Sequence, residues 1–370
     1  MNRYYDQYQG LLNTFILGSE DLRILLDTAN AKYNRASWRN FATFDVPQIG
    51  KSFKAIIEET NIIVRASLLS PSGKKPLRST EGGELYTGSI PKIGHGFKID
   101  QADINFFKEL GQVEGDVNDW IARTYINRAA KIIGGFHATW TGWIYQALST
   151  GWIKVTKDQN PDGIPLNVGM KVKPSHMIGA LTKVWSDPDA DIIGSLQRMV
   201  KIATDDSIPF DYIGMTKELF DNVVCKNKNV IEALKGRMLI REDILYPFTT
   251  REIKERLASG FDLPPIVLFD ERSRFESDGI PVDGAPSFDP NAAILLKAGY
   301  FFGIKNSPDD YREDKNPAVI TSSTENGHIG AIKIFGSEPI NVITNMEAWA
   351  FPVMKNPNNI VIMDTSKVTA

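Results

Sequence analysis

Three aspartates, Asp187, Asp189 and Asp191, stand at the alternate spacing of the first oxygen ligands of a calcium loop. That loop also needs glycine at its sixth place and glutamate at its twelfth, where this chain has Ile192 and Arg198. The aspartates read instead as caps and flanks of a helix start. Ser72-Gly73-Lys74 shares part of a phosphate-binding loop, but Leu68 stands where the first glycine belongs and Lys75 where a serine or threonine belongs. A solvated turn fits that segment better. No glycine fingerprint opens a helix, so nucleotide binding has no support. The four histidines, His95, His137, His176 and His328, lack any paired metal spacing and read as satisfied polar residues. Cys225 follows the apolar stretch Leu219 to Val224 and reads as a small buried hydrophobe. The carboxylate pairs Asp205-Asp206, Asp270-Glu271 and Asp309-Asp310 are adjacent, so they point apart on a helix or strand. Trp140 and Trp143 lie on an apolar helical stripe and read as packing residues. No catalytic, cofactor-binding or metal-binding residue is assigned, and the chain reads as a non-enzyme that needs no cofactor.

The elements that would have to position such groups are those of a folded, soluble chain. Of 370 residues, 42% are hydrophobic, 24% charged and 10% aromatic, which excludes a disordered or collagen-like polymer. A single cysteine rules out an intrachain disulfide. Apolar runs fall far short of the roughly 20 residues that cross a bilayer, and the start MNRYYDQYQG lacks a basic region followed by an apolar one. Neither secretion nor a membrane is therefore expected. A net charge of -3 argues against a dedicated nucleic-acid binder.

Along the chain, Ser19 caps a helical pattern with Glu20 and Asp21 in its first turn and Leu22, Leu25, Leu26 and Ala29 on one face. This stretch buries little by itself and is expected to need a partner surface. Residues 53–69 and 86–99 read as two strands of a long hairpin, and the segment 70–79 between them carries Lys74, Lys75 and Arg78 without an acid. A two-stranded hairpin is marginal alone, so this basic tip is expected to lie on another subunit. After a short helix at Ala102 to Leu110, the longest helical pattern runs from about Asp116 to Ser149, roughly 50 Å of rod. Gly134 and Gly135 interrupt it and predict a bend or a close backbone approach. A second hairpin turns around residues 160–163, and a helix is expected after Asp187. A mixed α/β region follows, with strands in DYIGM and PPIVLFDE, helices in KELFDNVV, around Asn229 to Lys235 and at Thr250 to Ser259, and further strands in AILLKA and YFFGI. The end returns to strands in GAIKIF and NIVIMD, separated by NVITNMEAWAFPVMKNPN.

Taken in order, these parts resemble the major capsid proteins of tailed double-stranded DNA phages with the Hong Kong 97-type fold, the lambda-like capsid protein E family. NVGMKVKPSHMIGALTKVWSDPDADIIGSLQRM looks like that family's strand, Trp-Ser-Asp and acidic helix start. PFDYIGMTKELFDNVV looks like its next strand and helix, and EAWAFPVMKNPNNIVIMDT like its closing segment. The resemblance implies an α+β fold with an N-terminal arm over residues 1–50 and an extended loop (E-loop) over 51–99. A peripheral domain with a long spine helix would span 100–185, an axial α/β domain 186–334, and the return to the peripheral domain 335–370. It also implies pentamers and hexamers that close an icosahedral shell around the genome, with Lys74, Lys75 and Arg78 as inter-subunit contacts. A separate scaffolding protein and a portal would be its partners, the presence of decoration proteins is left open, contact with packaged DNA would be weak and non-specific, and the chain would assemble in the host cytoplasm and reside in the virion. Some relatives join subunits by a Lys-Asn isopeptide bond; Lys74 and Lys75, with Asn356, Asn358 and Asn359, are the residue types concerned. Two rivals stand beside this reading: the shell of a cellular nanocompartment with the same fold, enclosing an enzyme cargo, and a ring-forming α/β enzyme.

Overall fold

The computed structural model describes residues 19–57, 84–111, 117–160, 163–236, 248–271, 275–277, 280–282, 287–307, 319–337 and 340–369. The chain divides into two compact units, one made of Met1–Phe53, Thr87–Thr141 and Gly303–Val353, the other of Lys54–Tyr86, Gly142–Phe302 and Met354–Ala370. Helices and strands are mixed within each, an α+β arrangement.

The first strands are β1 (Ala42–Phe44), β2 (Ser52–Ile57), β3 (Glu84–Ser89) and β4 (Lys92–Ile99). β2 pairs with β3, as a hairpin requires, while β4 leaves it and joins a different strand. Pro91 stands at the break, where it cannot donate to a ladder. The second hairpin is β5 (Trp152–Val155) with β6 (Leu166–Gly169). Next come β7 (Met177–Ala180), β8 (Tyr212–Thr216), β9 (Ile266–Phe269), the small pair β10 (Phe275–Ser277) and β11 (Ile280–Val282), β12 (Ala292–Leu296) and β13 (Phe302–Asn306). The chain closes with β14 (Val319–Thr324), β15 (Ile329–Ser337), β16 (Ile340–Met354) and β17 (Ile360–Val368).

The first unit is built on a sheet of order β1-β13-β16-β15-β14, with β4 also paired to β16. β16 is the longest strand, 15 residues, and it occupies the stretch that the sequence reading left as a separator. Val342, Thr344, Met346, Ala348 and Ala350 are buried while the residues between them are less so, the period of two that a half-covered strand requires. Ile343 and Trp349 on the less covered face and Thr344 on the buried one obscured that period by type.

The N-terminal helix Ser19–Asn30 packs against β14 of the same unit. Its stripe of Leu22, Leu26 and Ala29 is wholly buried, because the helical repeat sets those residues on one face. The expectation that this stretch needs a partner surface is therefore corrected: its own sheet edge covers it.

The long helix runs from Val117 to Thr150, 34 residues, as its periodicity requires. Its residues to Thr141 count with the first unit and the rest with the second. Gly134 and Gly135 serve close approach. A Cβ at Gly134 would collide with the Tyr33 hydroxyl, and one at Gly135 would stand 3.1 Å from His95 Cδ2. The Tyr33 hydroxyl uses that space to donate to the Ala130 carbonyl at 2.7 Å. Replacing Gly134 by alanine is expected to cost about 1–3 kcal/mol through overpacking, read as a lower urea midpoint with an unchanged slope.

The second unit holds a sheet of order β7-β17-β12-β8-β9. β12 is buried at all five positions, hence its uninterrupted apolar sequence. Trp185, Leu196, Met199, Phe220 and Leu257 fill the core between this sheet and its helices. The helix expected after Asp187 begins instead at Ile192, with Asp191 as N-cap accepting from the Gly194 N–H at 2.8 Å. Asp187 belongs to a preceding turn, where its carbonyl accepts from Ala190 N–H at 3.0 Å.

Candidate functional site

A polar cluster of the first unit joins three parts of the chain on the long helix. Asn30 ends the N-terminal helix, Arg39 lies in the short 3-10 turn Ser37–Asn40, and Glu325 follows β14. Asn30 Nδ2 donates to Glu325 Oε2 at 2.7 Å, and Arg39 Nη2 donates to Glu325 Oε1 at 2.6 Å. His137, on the long helix, completes the circuit through both ring nitrogens. Trp38 Nε1 lies 3.1 Å from His137 Nδ1 and can only donate, so Nδ1 accepts. The proton then resides on Nε2, which donates to Asn30 Oδ1 at 2.9 Å. Tyr33 stacks on the imidazole at 5.0 Å and Trp38 at 6.0 Å, fixing its plane. The Arg39 guanidinium lies 4.5 Å from the centre of the Trp38 ring.

Glu325 reaches this position at a conformational cost. Its φ is +52° and that of Asn326 is +55°, a left-handed region that side chains with a Cβ rarely occupy. The bonds from Asn30 and Arg39 hold it there. Beside the cluster opens a cavity of about 660 Å³, lined by Arg23, Asp27, Asn34, Arg39, Glu325 and Asn326 among others. Its cations and anions are balanced.

Electrostatics fix the charge states. Burial pushes His137 down from 6.5 to about 4, the Glu325 charge opposing and the Arg39 charge adding to the shift. Burial alone would raise Glu325, but the hydrogen bonds from Asn30 and Arg39 and the Arg39 charge hold it below the ordinary 4.5. Both shifts have the same consequence. Between pH 6.5 and 4 the unfolded chain binds a proton at this histidine that the folded chain refuses, and stability falls as pH falls. The contribution of Glu325 is full above its unfolded value and is lost as pH drops through its lower folded value. Thermal unfolding is therefore expected to weaken steadily on acidification across that window, and an NMR titration of the His137 ring to give a midpoint near 4, not 6.5.

The other sequence candidates are dispersed. Lys74, Lys75 and Arg78 lie outside the described residues. His176 meets Asp206 Oδ2 at 2.7 Å, His328 stacks on Phe44 at 3.8 Å, and His95 lies against Gly135. Asp187 pairs with Lys183 at 3.2 Å, and Asp191 caps its helix. Burial pushes the Cys225 thiol up to about 11, away from nucleophilic character. Trp140 and Trp143 are buried, as their stripe required. Among the described residues, no group of three or more His, Cys, Asp or Glu side chains could hold a metal. The Asn30–Arg39–Glu325 cluster was missed because its members are far apart in sequence. Its one local signal was Asn326-Gly327, a turn dipeptide directly after Glu325.

The cluster ties the N-terminal helix, the 3-10 turn and the connection after β14 to the long helix. Among known families, the model of the phage major capsid protein E family matches residues 42–317, well over half of the chain. The chain belongs to that family. The fold also matches a protein assigned as the capsid protein of a prophage of Escherichia coli CFT073, with a TM-score of 0.54 at 14% identity, covering 94% of this chain and 99% of that one. A phage-related protein of Bordetella bronchiseptica RB50 gives a TM-score of 0.47 at 12% identity, covering 94% and 98%. The satellite phage P4 procapsid, in a structure that includes a size determination protein, gives 0.46 at 13%, covering 92% and 99%. No curated protein matches the sequence. This capsid protein therefore has the Hong Kong 97-type α+β fold and is a structural component of the phage shell, located in the virion capsid. In a shell subunit, the buried cluster acts by holding the N-terminal helix and the β14–β15 connection to the long helix.

Proposed function

We propose that copies of this chain, as pentamers and hexamers, close an icosahedral shell around a double-stranded DNA genome without catalysing a reaction. The match of the capsid protein family over residues 42–317 carries this reading. In it, residues 1–50 are the arm, 51–99 the extended loop, 100–185 with 335–370 the peripheral domain, and 186–334 the axial domain. Lys74, Lys75 and Arg78 then contact a neighbouring subunit. A net charge of -3 suits a container that touches DNA weakly. A scaffolding protein and a portal are its partners, with assembly in the host cytoplasm.

Expression of the chain with its genomic neighbours, followed by negative-stain microscopy, tests the proposal. Closed shells holding double-stranded DNA are expected. Small discrete oligomers under all conditions reject a shell, and shells holding an enzyme without DNA reject a genome container. Boiled shells on a denaturing gel decide the cross-link: a ladder requires a covalent bond between subunits, and a lone monomer band excludes it.

A further inference from the structure

Asn326-Gly327 is the one Asn-Gly dipeptide of the chain. The Asn326 side-chain amide is a latent electrophile: the backbone nitrogen of the next residue can attack its Cγ, and a glycine there puts no side chain in the way. In that step the N–C bond closes a five-membered imide, the Gly327 amide proton passes to water and the side-chain nitrogen leaves as ammonia. Water then opens either carbonyl of the imide, which leaves aspartate or iso-aspartate at position 326. Only the chain and water take part. Asn326 is exposed, and among the described residues its amide has no hydrogen-bond partner. Neither burial nor a bond to the amide protects it.

The backbone of the folded turn nevertheless holds the reacting atoms apart. Ring closure requires the Gly327 nitrogen and Asn326 Cβ to eclipse each other about the Asn326 Cα–C bond. At φ +55° and ψ +29° an L-residue sets them on nearly opposite sides of that bond. Turning ψ alone while φ stays positive leads to a turn conformation that glycine dominates, so φ must change as well. The neighbours resist both rotations. Glu325 is itself left-handed at φ +52°, held by Asn30 at 2.7 Å and Arg39 at 2.6 Å. His328 N–H closes the turn on the Glu325 carbonyl at 3.1 Å, and the His328 ring is stacked on Phe44. The reactive conformation needs these contacts to open first, a local event short of global unfolding. Its product does not restore the starting turn: aspartate adds a charge beside Glu325 on the cavity wall that also holds Asp27, and iso-aspartate adds a carbon to the main chain.

We propose that Asn326 is a deamidation site that the Asn30–Arg39–Glu325 bonds keep shut in the folded subunit. Mass spectrometry of the peptide containing residue 326 follows the exchange of amide for acid in the full chain at mildly alkaline pH. The exchange is expected to be at least about tenfold slower in buffer than in urea above the unfolding midpoint, the factor for a local opening cost of about 1.4 kcal/mol. Urea below that midpoint is expected to speed it before circular dichroism reports unfolding. E325Q, which weakens the clamp, is expected to raise the rate in buffer at least about threefold. L257A, in the core of the second unit, is expected to leave it unchanged. Equal rates in buffer and in urea overturn the protection. A rate that follows only the global transition, or that L257A raises as much as E325Q does, overturns the local gate. If E325Q does not fold, the wild-type urea series decides that point alone. No exchange at position 326 in the unfolded chain overturns the site itself.

Discussion

Replacing Glu325 by alanine is expected to destabilise the subunit by about 1–3 kcal/mol, because it strands the buried Asn30 amide and the part-buried Arg39 guanidinium. Glu325 is 5% exposed and receives bonds from both Asn30 and Arg39. Its loss leaves the Asn30 amide and one edge of the Arg39 guanidinium without an acceptor, and leaves His137 without its neighbouring anion. The loss of ordering should concentrate in residues 30–41, which limited proteolysis reads as earlier cleavage there than in the second unit. Glu325→Gln keeps the shape and one acceptor oxygen, so it should recover part of the loss at pH 7 and flatten the acid dependence. A variant as stable as the wild type, or one cleaved first in the second unit, sinks this account of the cluster.

Trp140→Ala is expected to cost about 3–5 kcal/mol, in the range for deleting a large buried aromatic side chain. Trp140 is fully buried and meets Trp38 edge-on at 5.6 Å, Phe44 at 5.3 Å and His137 at 5.4 Å. Those rings come from the 3-10 turn, from β1 and from the long helix, so one cavity loosens three elements together. Urea unfolding checks it; a loss below about 1 kcal/mol means that the neighbouring rings collapse into the space. Trp140→Phe should recover much of the loss, since it leaves a smaller void.

The parts legible in the sequence were those whose signal is local. The long helix was read from its apolar stripe and ends within a residue of the observed Thr150. Gly134 and Gly135 predicted a bend or a close backbone approach, and it is the approach that occurs, with Tyr33 and His95 in the space. β16 was not read because its alternation is of burial: Thr344 and Ala350 are inward, while Ile343 and Trp349 are only partly covered. The start of the helix at Ile192 was displaced because three aspartates could each have capped it, and only Asp191 has the Gly194 N–H in reach. The Glu325 cluster depends on contacts nearly 300 residues apart, Asn30 to Glu325 being 295 positions, and no pattern of types encodes such a meeting. The basic residues Lys74, Lys75 and Arg78 were singled out by charge alone, a property of composition that fixes no location.

The N-terminal helix has a consequence for how fast shells can grow. Its leucines are already covered and its last residue, Asn30, is already bonded to Glu325 and His137 in the single chain. A newcomer docking on a growing edge therefore brings residues 19–30 with their conformational search finished, so encounter need not wait for a coil to become a helix.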